Sequence, residues 1–156
     1  MLWLHMESPF HISDIAGVIQ LAVAPVFLLA GVGATLNVLA TRIGRIIDRA
    51  RAMEDRLAQA SPEAAEDLHQ RLRVLSERAT LIQRAMVLCV VCALLVSLVV
   101  TALFVSSSLR INLTTPIAVT FVVALLSLAA ALVYFLREVF LATNSLQFGG
   151  ARVGRG

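Results

Sequence analysis

Three stretches of this chain carry no Asp, Glu, Lys or Arg: residues 15–41, 85–109 and 111–136. Each meets or exceeds the roughly 20 residues that take a helix across a bilayer. The pattern predicts an all-α integral membrane protein with transmembrane helices over 15–41, 85–105 and 116–136. An outer flank (1–14), a loop (106–115) and a tail (137–156) complete the organisation.

Between the first two spans the pattern changes without losing its helical period. Ile43, Ile46, Ala50, Met53 and Leu57 recur at steps of three and four. Leu68, Leu72, Leu75, Ala79 and Ile82 do the same on the return. Both are seams of the coiled-coil kind. Ser61 suits a cap and Pro62 the first helical position, while Glu63, Glu66 and Asp67 complement the positive helix start. The reading for 42–84 is a cytoplasmic helical hairpin, coiled-coil-like, that extends the first two membrane helices and turns near 59–61. The third span is expected to begin at a Thr114 or Thr115 cap, with Pro116 in its first turn and Gly149 as a C-terminal cap.

Composition agrees with a membrane class. Of 156 residues 59% are hydrophobic and 15% charged, with mean hydropathy +0.87. Soluble domains carry about 25% charge. The net charge of +3 is not a nucleic-acid signal; all thirteen basic residues are Arg. Nine of them lie in 42–84, none in the N-terminal flank, and only Arg110 between the second and third spans. Basic residues stay on the cytoplasmic side. The expected orientation is therefore N-terminus outside, hairpin inside and C-terminus inside. Arg42, Arg45, Asp48, Arg49, Arg84 and Arg137 fall at the inner boundary, where they would form a cytoplasmic mouth and meet lipid headgroups. The N-terminus lacks the basic region of a cleavable leader, and Met6 is an alternative start.

The order of APVFLLAGVGATLNVLATRIGRIIDRAR, a charged hairpin ending in ERATLIQRA, two apolar spans and FLREVFLA resembles a family of small bacterial inner-membrane proteins known only as a domain of unknown function. The likeness covers about residues 12–142. Its most specific part is the block with Asn37, Arg42, Arg45, Asp48, Arg49 and Arg51. It implies three spans and a bacterial inner-membrane location, and it implies no activity.

Each span carries a stripe of small or polar residues. The first has Gly17, Gln20, Ala24, Gly31 and Thr35, with Asn37 near its inner end; the second has Cys89, Ala93, Ser97 and Thr101; the third has Thr120, Ala124, Ser127, Ala131 and Tyr134. Such residues allow close helix approach and bonds between helices. They either pack the subunit or line a path in an oligomer. The first span is the best pore-lining candidate, because Pro25 also frees a carbonyl there. With no carboxylate or His inside the spans, a proton relay is not expected. Cys89 and Cys92 read as packing residues rather than a redox pair. His5, Glu7, His11 and Asp14 crowd the outer flank and offer at most a weak metal site; no metal or other cofactor is expected. Nucleotide-binding, metalloprotease and nucleophile-elbow motifs are absent, and an enzyme is not expected. Two readings remain. One is a homo-oligomeric, channel-like protein with the first helix along the path. The other is an adaptor whose hairpin binds a cytoplasmic protein partner. In the first the stripe faces a shared axis, and in the second it faces the other two helices.

The arginine asymmetry generates the first prediction. An impermeant thiol reagent applied from outside should modify a Ser107→Cys variant and spare a Gln59→Cys variant. The opposite pattern would reverse the orientation.

Overall fold

The computed structural model describes residues 12–109 and 112–147, without side chains for 12–16, 18 and 143–147. It contains three helices: α1 (Ile12–Leu57), α2 (Pro62–Leu109) and α3 (Thr114–Gln147). All three are long and apolar enough to cross a membrane. At 1.5 Å per residue, α1 and α2 run about 70 Å each, more than twice the roughly 30 Å hydrocarbon layer.

The arms continue the spans without interruption, and the chain turns back at 58–61. Gln59 N–H donates to the Arg56 carbonyl at 3.2 Å and Ala60 N–H to that of Leu57 at 3.3 Å, closing α1. Ala65 N–H donates to the Ser61 carbonyl at 2.9 Å, so the new helix opens on Ser61 with Pro62 as its first residue. Proline loses nothing there, since the first helical N–H groups have no partner within the helix.

Three boundaries differ from the sequence reading. Residues 106–109 belong to α2 and 114–115 to α3, which shortens the predicted 106–115 loop. Thr114 is helical, and it is the Asn112 side-chain oxygen that accepts the Thr114 N–H, at 3.3 Å. The segment after 136 is not a tail at once, because α3 continues through Arg137 to Gln147. Helix α3 thus runs about 14 Å beyond Glu138. Gly149 lies outside the described residues.

Packing follows one rule through membrane and arm alike. On α1, residues 22, 25, 29, 32, 36, 39, 43, 46, 50, 53 and 57 are buried or half-buried. On α2, so are 68, 72, 75, 79, 82, 86, 89, 93, 96, 100 and 103. The steps alternate between three and four, a seven-residue period held from one end of each seam to the other. The seam residues expected in the arms, among them Ile46, Leu75 and Ile82, continue a register that begins inside the spans. Helix α2 is central, packing against α1 and α3. Its face toward α3 repeats every seven residues as Ala85, Cys92 and Val99, and α3 answers with Ala124 and Ala131. Small side chains on these faces let backbones approach. Outward, the spans present Phe27, Leu94, Leu98 and Leu126, all exposed, as a lipid-facing surface requires. The chain reads as a multi-pass membrane protein.

Leu75 is buried in the seam of the arms. A Leu75→Asp substitution places an unpaired carboxylate among apolar neighbours and should cost about 3 kcal/mol or more. It should make the arms cleavable at protease concentrations that spare the parent. Unchanged cleavage would remove Leu75 from the seam.

Candidate functional site

Carried one repeat further, the seven-residue columns place charge where the core should be. Residue 138 follows Ala124 and Ala131 on α3, and it is Glu138, fully buried. Residue 78 precedes Ala85, Cys92 and Val99 on α2, and it is Arg78, 13% exposed. On α1, Arg42 lies one heptad beyond the half-buried Thr35, on the flank that reaches α3. The three side chains meet. Arg78 donates to one Glu138 oxygen through Nη2 at 2.8 Å and Nε at 3.2 Å. Arg42 Nη1 donates to the other oxygen at 2.7 Å. Arg42 also lies over the Phe135 ring, 5.1 Å from its centroid, a favourable cation–π distance. Among the described residues, every ion pair between different helices ends on Glu138.

A carboxylate in this position needs both partners. An isolated buried charge is prohibitively costly, and only hydrogen-bonded pairing offsets its desolvation. The two arginines satisfy both oxygens and leave the cluster with one net positive charge. The cluster therefore ties α1, α2 and α3 at a single level, where the charge-free stretches end. The sequence reading had placed Arg42 with the mouth residues and Arg137 at the boundary, and had missed Glu138 and Arg78. The signal lay in the stripe through Ala124 and Ala131, which points to 138 at the next step of seven. The other mouth candidates, Arg45, Asp48, Arg49, Arg84 and Arg137, are exposed and form no ion pair with one another.

At the opposite end the helices part. A cleft of 520 Å³ opens among Leu21, Ala24 and Pro25 of α1, Val99, Leu103 and Ser107 of α2, and Thr114, Ile117 and Phe121 of α3. The clasp and the cleft thus occupy opposite ends of the bundle.

The polar residues within the spans divide into two kinds. Serine and threonine hydroxyls donate within their own helices. Thr35 donates to the Gly31 carbonyl and Thr101 to that of Ser97, each at 2.9 Å. Ser97 and Thr120 do so at 2.8 Å and Ser127 at 2.9 Å. The carboxamides of Gln20 and Asn37 have no such partner and are exposed. Gly17, Ala24 and Gly31 are exposed as well. Asn37 departs from the stripe drawn in the sequence. Two residues past Thr35, it is turned about 200° round the helix. It shares a flank with Gly33, Thr41 and Gly44 instead, away from α3. A Cβ added at Gly33 or Gly44 would meet nothing within 4 Å, so this flank is open.

Cys89 and Cys92 are buried, unoxidised and packed in the core. Among the described residues no group of three or more His, Cys, Asp or Glu side chains could hold a metal. His5, Glu7, His11 and Asp14 of the N-terminal flank lie outside the described side chains.

A family model described as a protein of unknown function (DUF2721) matches residues 22–148, taking in the clasp, the seams and the open flank of α1. No curated protein and no solved structure matches the chain.

The clasp generates a graded prediction. Glu138→Gln leaves the largely buried Arg78 guanidinium, and the partly exposed Arg42 beside it, without a counter-charge and should cost about 3 kcal/mol, read as a lower unfolding midpoint in detergent. Arg78→Ala should cost more than Arg42→Ala, since Arg78 is the more buried and makes two of the three bonds. Replacing all three by Leu should recover most of the loss. Additive effects of the three single changes would mean that the residues do not act as a unit.

Proposed function

The chain belongs to the DUF2721 family, and we propose from its geometry that it is a non-catalytic, homo-oligomeric, channel-like protein of the bacterial inner membrane. In this reading α1 forms the contact between subunits and borders the path, and the hairpins make a coiled-coil-like collar in the cytoplasm.

The observation that carries the reading is Asn37. Its carboxamide lies about five residues inside the apolar stretch from Arg42, exposed, on a flank bordered by Gly33 and Gly44. A polar amide facing lipid without a partner costs free energy. The same amide facing another α1 gains an interhelical hydrogen bond, and the glycines let the backbones come close. The stripe from Gly17 to Thr35 shares the Arg42 flank toward α3, and Ala24 lines the cleft among the three helices, so the contact between subunits falls to the Asn37 flank rather than to the stripe. Arg45 and Arg49 project outward just below, so a ring of subunits would concentrate anions at its inner mouth.

A second reading has its own support. A groove of 370 Å³ runs along the arms past Ile46, Ile47, Ala50, Leu72 and Ala79. Ile47 and Val74 are exposed on the same arms. An adaptor that seats a cytoplasmic protein on the hairpin would use that surface.

Parent protein in nanodiscs should have a mass of two or more whole chains, and Asn37→Leu should shift it toward the single chain. In planar bilayers the parent should carry current that Asn37→Leu reduces. A monomeric, silent parent at high protein density would replace the channel reading with the adaptor one. Current unaffected by Asn37→Leu would take this flank of α1 out of the assembly.

A further inference from the structure

A second groove, of 440 Å³, lies between α2 and α3 where the arm enters the membrane. Its lining is ordered along the helix axis. Thr80, Gln83 and Arg84 sit on the arm side, and Val87 and Leu88 begin the charge-free stretch. Tyr134 of α3 closes the opposite wall. From Thr80 to Leu88 the groove spans about 12 Å, passing from donors to hydrocarbon.

Its polar groups are available. Among the described residues, neither Arg84 nor Gln83 nor the Tyr134 hydroxyl has a hydrogen-bond or ion-pair partner, whereas the Thr80 hydroxyl donates to the Ser76 carbonyl at 2.9 Å. No Asp or Glu lines the groove. Arg137, one turn beyond Tyr134 on the same side of α3, adds a second exposed guanidinium nearby. The nearby arginines Arg42 and Arg78 are engaged with Glu138; Arg84 is not.

We propose that this groove is a binding site for one anionic phospholipid of the leaflet on the hairpin side. The phosphodiester accepts hydrogen bonds from the Arg84 guanidinium and the Tyr134 hydroxyl, and Gln83 reaches the headgroup. The upper acyl segment lies on Val87 and Leu88. A guanidinium fork suits a phosphate. A donor set without a carboxylate favours a lipid with net negative charge over a zwitterionic one. Basic pockets between membrane helices on the cytoplasmic side bind such headgroups. The site is independent of how α1 associates, because it lies wholly on α2 and α3.

The test is native mass spectrometry of the whole purified protein, delipidated and titrated with phosphatidylglycerol, with phosphatidylcholine, and with inorganic phosphate. The parent should retain phosphatidylglycerol in preference to phosphatidylcholine. Arg84→Gln should weaken that retention about fivefold, the worth of one arginine at an anionic surface. Tyr134→Phe should weaken it in the same direction, and Arg73→Gln, on the exposed arm, should leave it unchanged. Both Arg84 and Arg73 are exposed, so an unchanged melting curve certifies that each variant is folded. Equal retention of the two lipids, or an Arg84→Gln variant that binds as the parent does, would overturn the proposal. Displacement of phosphatidylglycerol by millimolar inorganic phosphate would also overturn it, by making the site one for a free anion. Loss of lipid binding with oligomer mass and current intact would leave the α1 reading standing, and the converse result would leave this one.

Discussion

A carboxylate with no exposed surface, held at the end of three apolar helices, constrains the whole bundle. Glu138 can be buried there only because Arg42 and Arg78 reach it together. That requirement sets the rotation of α1, the axial position of α2 and the depth of α3 at one point. Apolar packing alone tolerates slippage along a seam, because each heptad resembles the next. A hydrogen-bonded charge does not, since a slip of one heptad would strand it among alanines and cysteines. Buried polar groups often cost stability and return a defined register. The clasp can play that part in a bundle whose seams repeat so evenly.

The same seven-residue rule explains why the helices cross from lipid into water without a break. The residues that pack α1 on α2 are Val32 and Leu39 in the span and Ile46 in the arm. Only the outward faces change character, from Phe27 and Val38 to Arg45, Asp48 and Arg49. The environment is therefore written on the outside of the helices and the register on the inside. The clasp sits at the change, with Phe135 beneath the Arg42 guanidinium.

Much of this was legible in the chain. Absence of charge marks the spans, spacing marks the arm seams, and Ser61-Pro62 marks the turn. Asn112 was harder to see as the opening of α3, because threonine and asparagine both cap helices and sit two residues apart. Glu138 was missed for a physical reason. A charge at a membrane boundary is ordinarily solvated by headgroups, so Arg137-Glu138 reads as an interfacial pair. Only continuing the alanine column by seven separates the two neighbours, one pointing out and the other in. The single stripe drawn through Asn37 failed similarly. Residues that look adjacent in the sequence occupy different flanks once the 100° turn per residue is counted.

That separation bears on where contacts between subunits can form. Serine and threonine hydroxyls in the spans donate hydrogen bonds to carbonyls one turn back, and they can face lipid at little cost. A carboxamide is different, because its two donors and one oxygen are not reached by its own helix in this way. Gln20 and Asn37 are thus, with the Tyr134 hydroxyl of α3, positions where the spans keep unspent hydrogen-bonding capacity. Gln20 lies near the end of its span remote from the hairpin, where water and headgroups can serve it. Asn37 lies inside the apolar layer between two glycines, on the side of α1 opposite the Arg42 flank. The clasp draws one flank of α1 toward α3 and so leaves the other turned outward. The interaction that closes the subunit thereby exposes the face on which a second subunit would be most favoured.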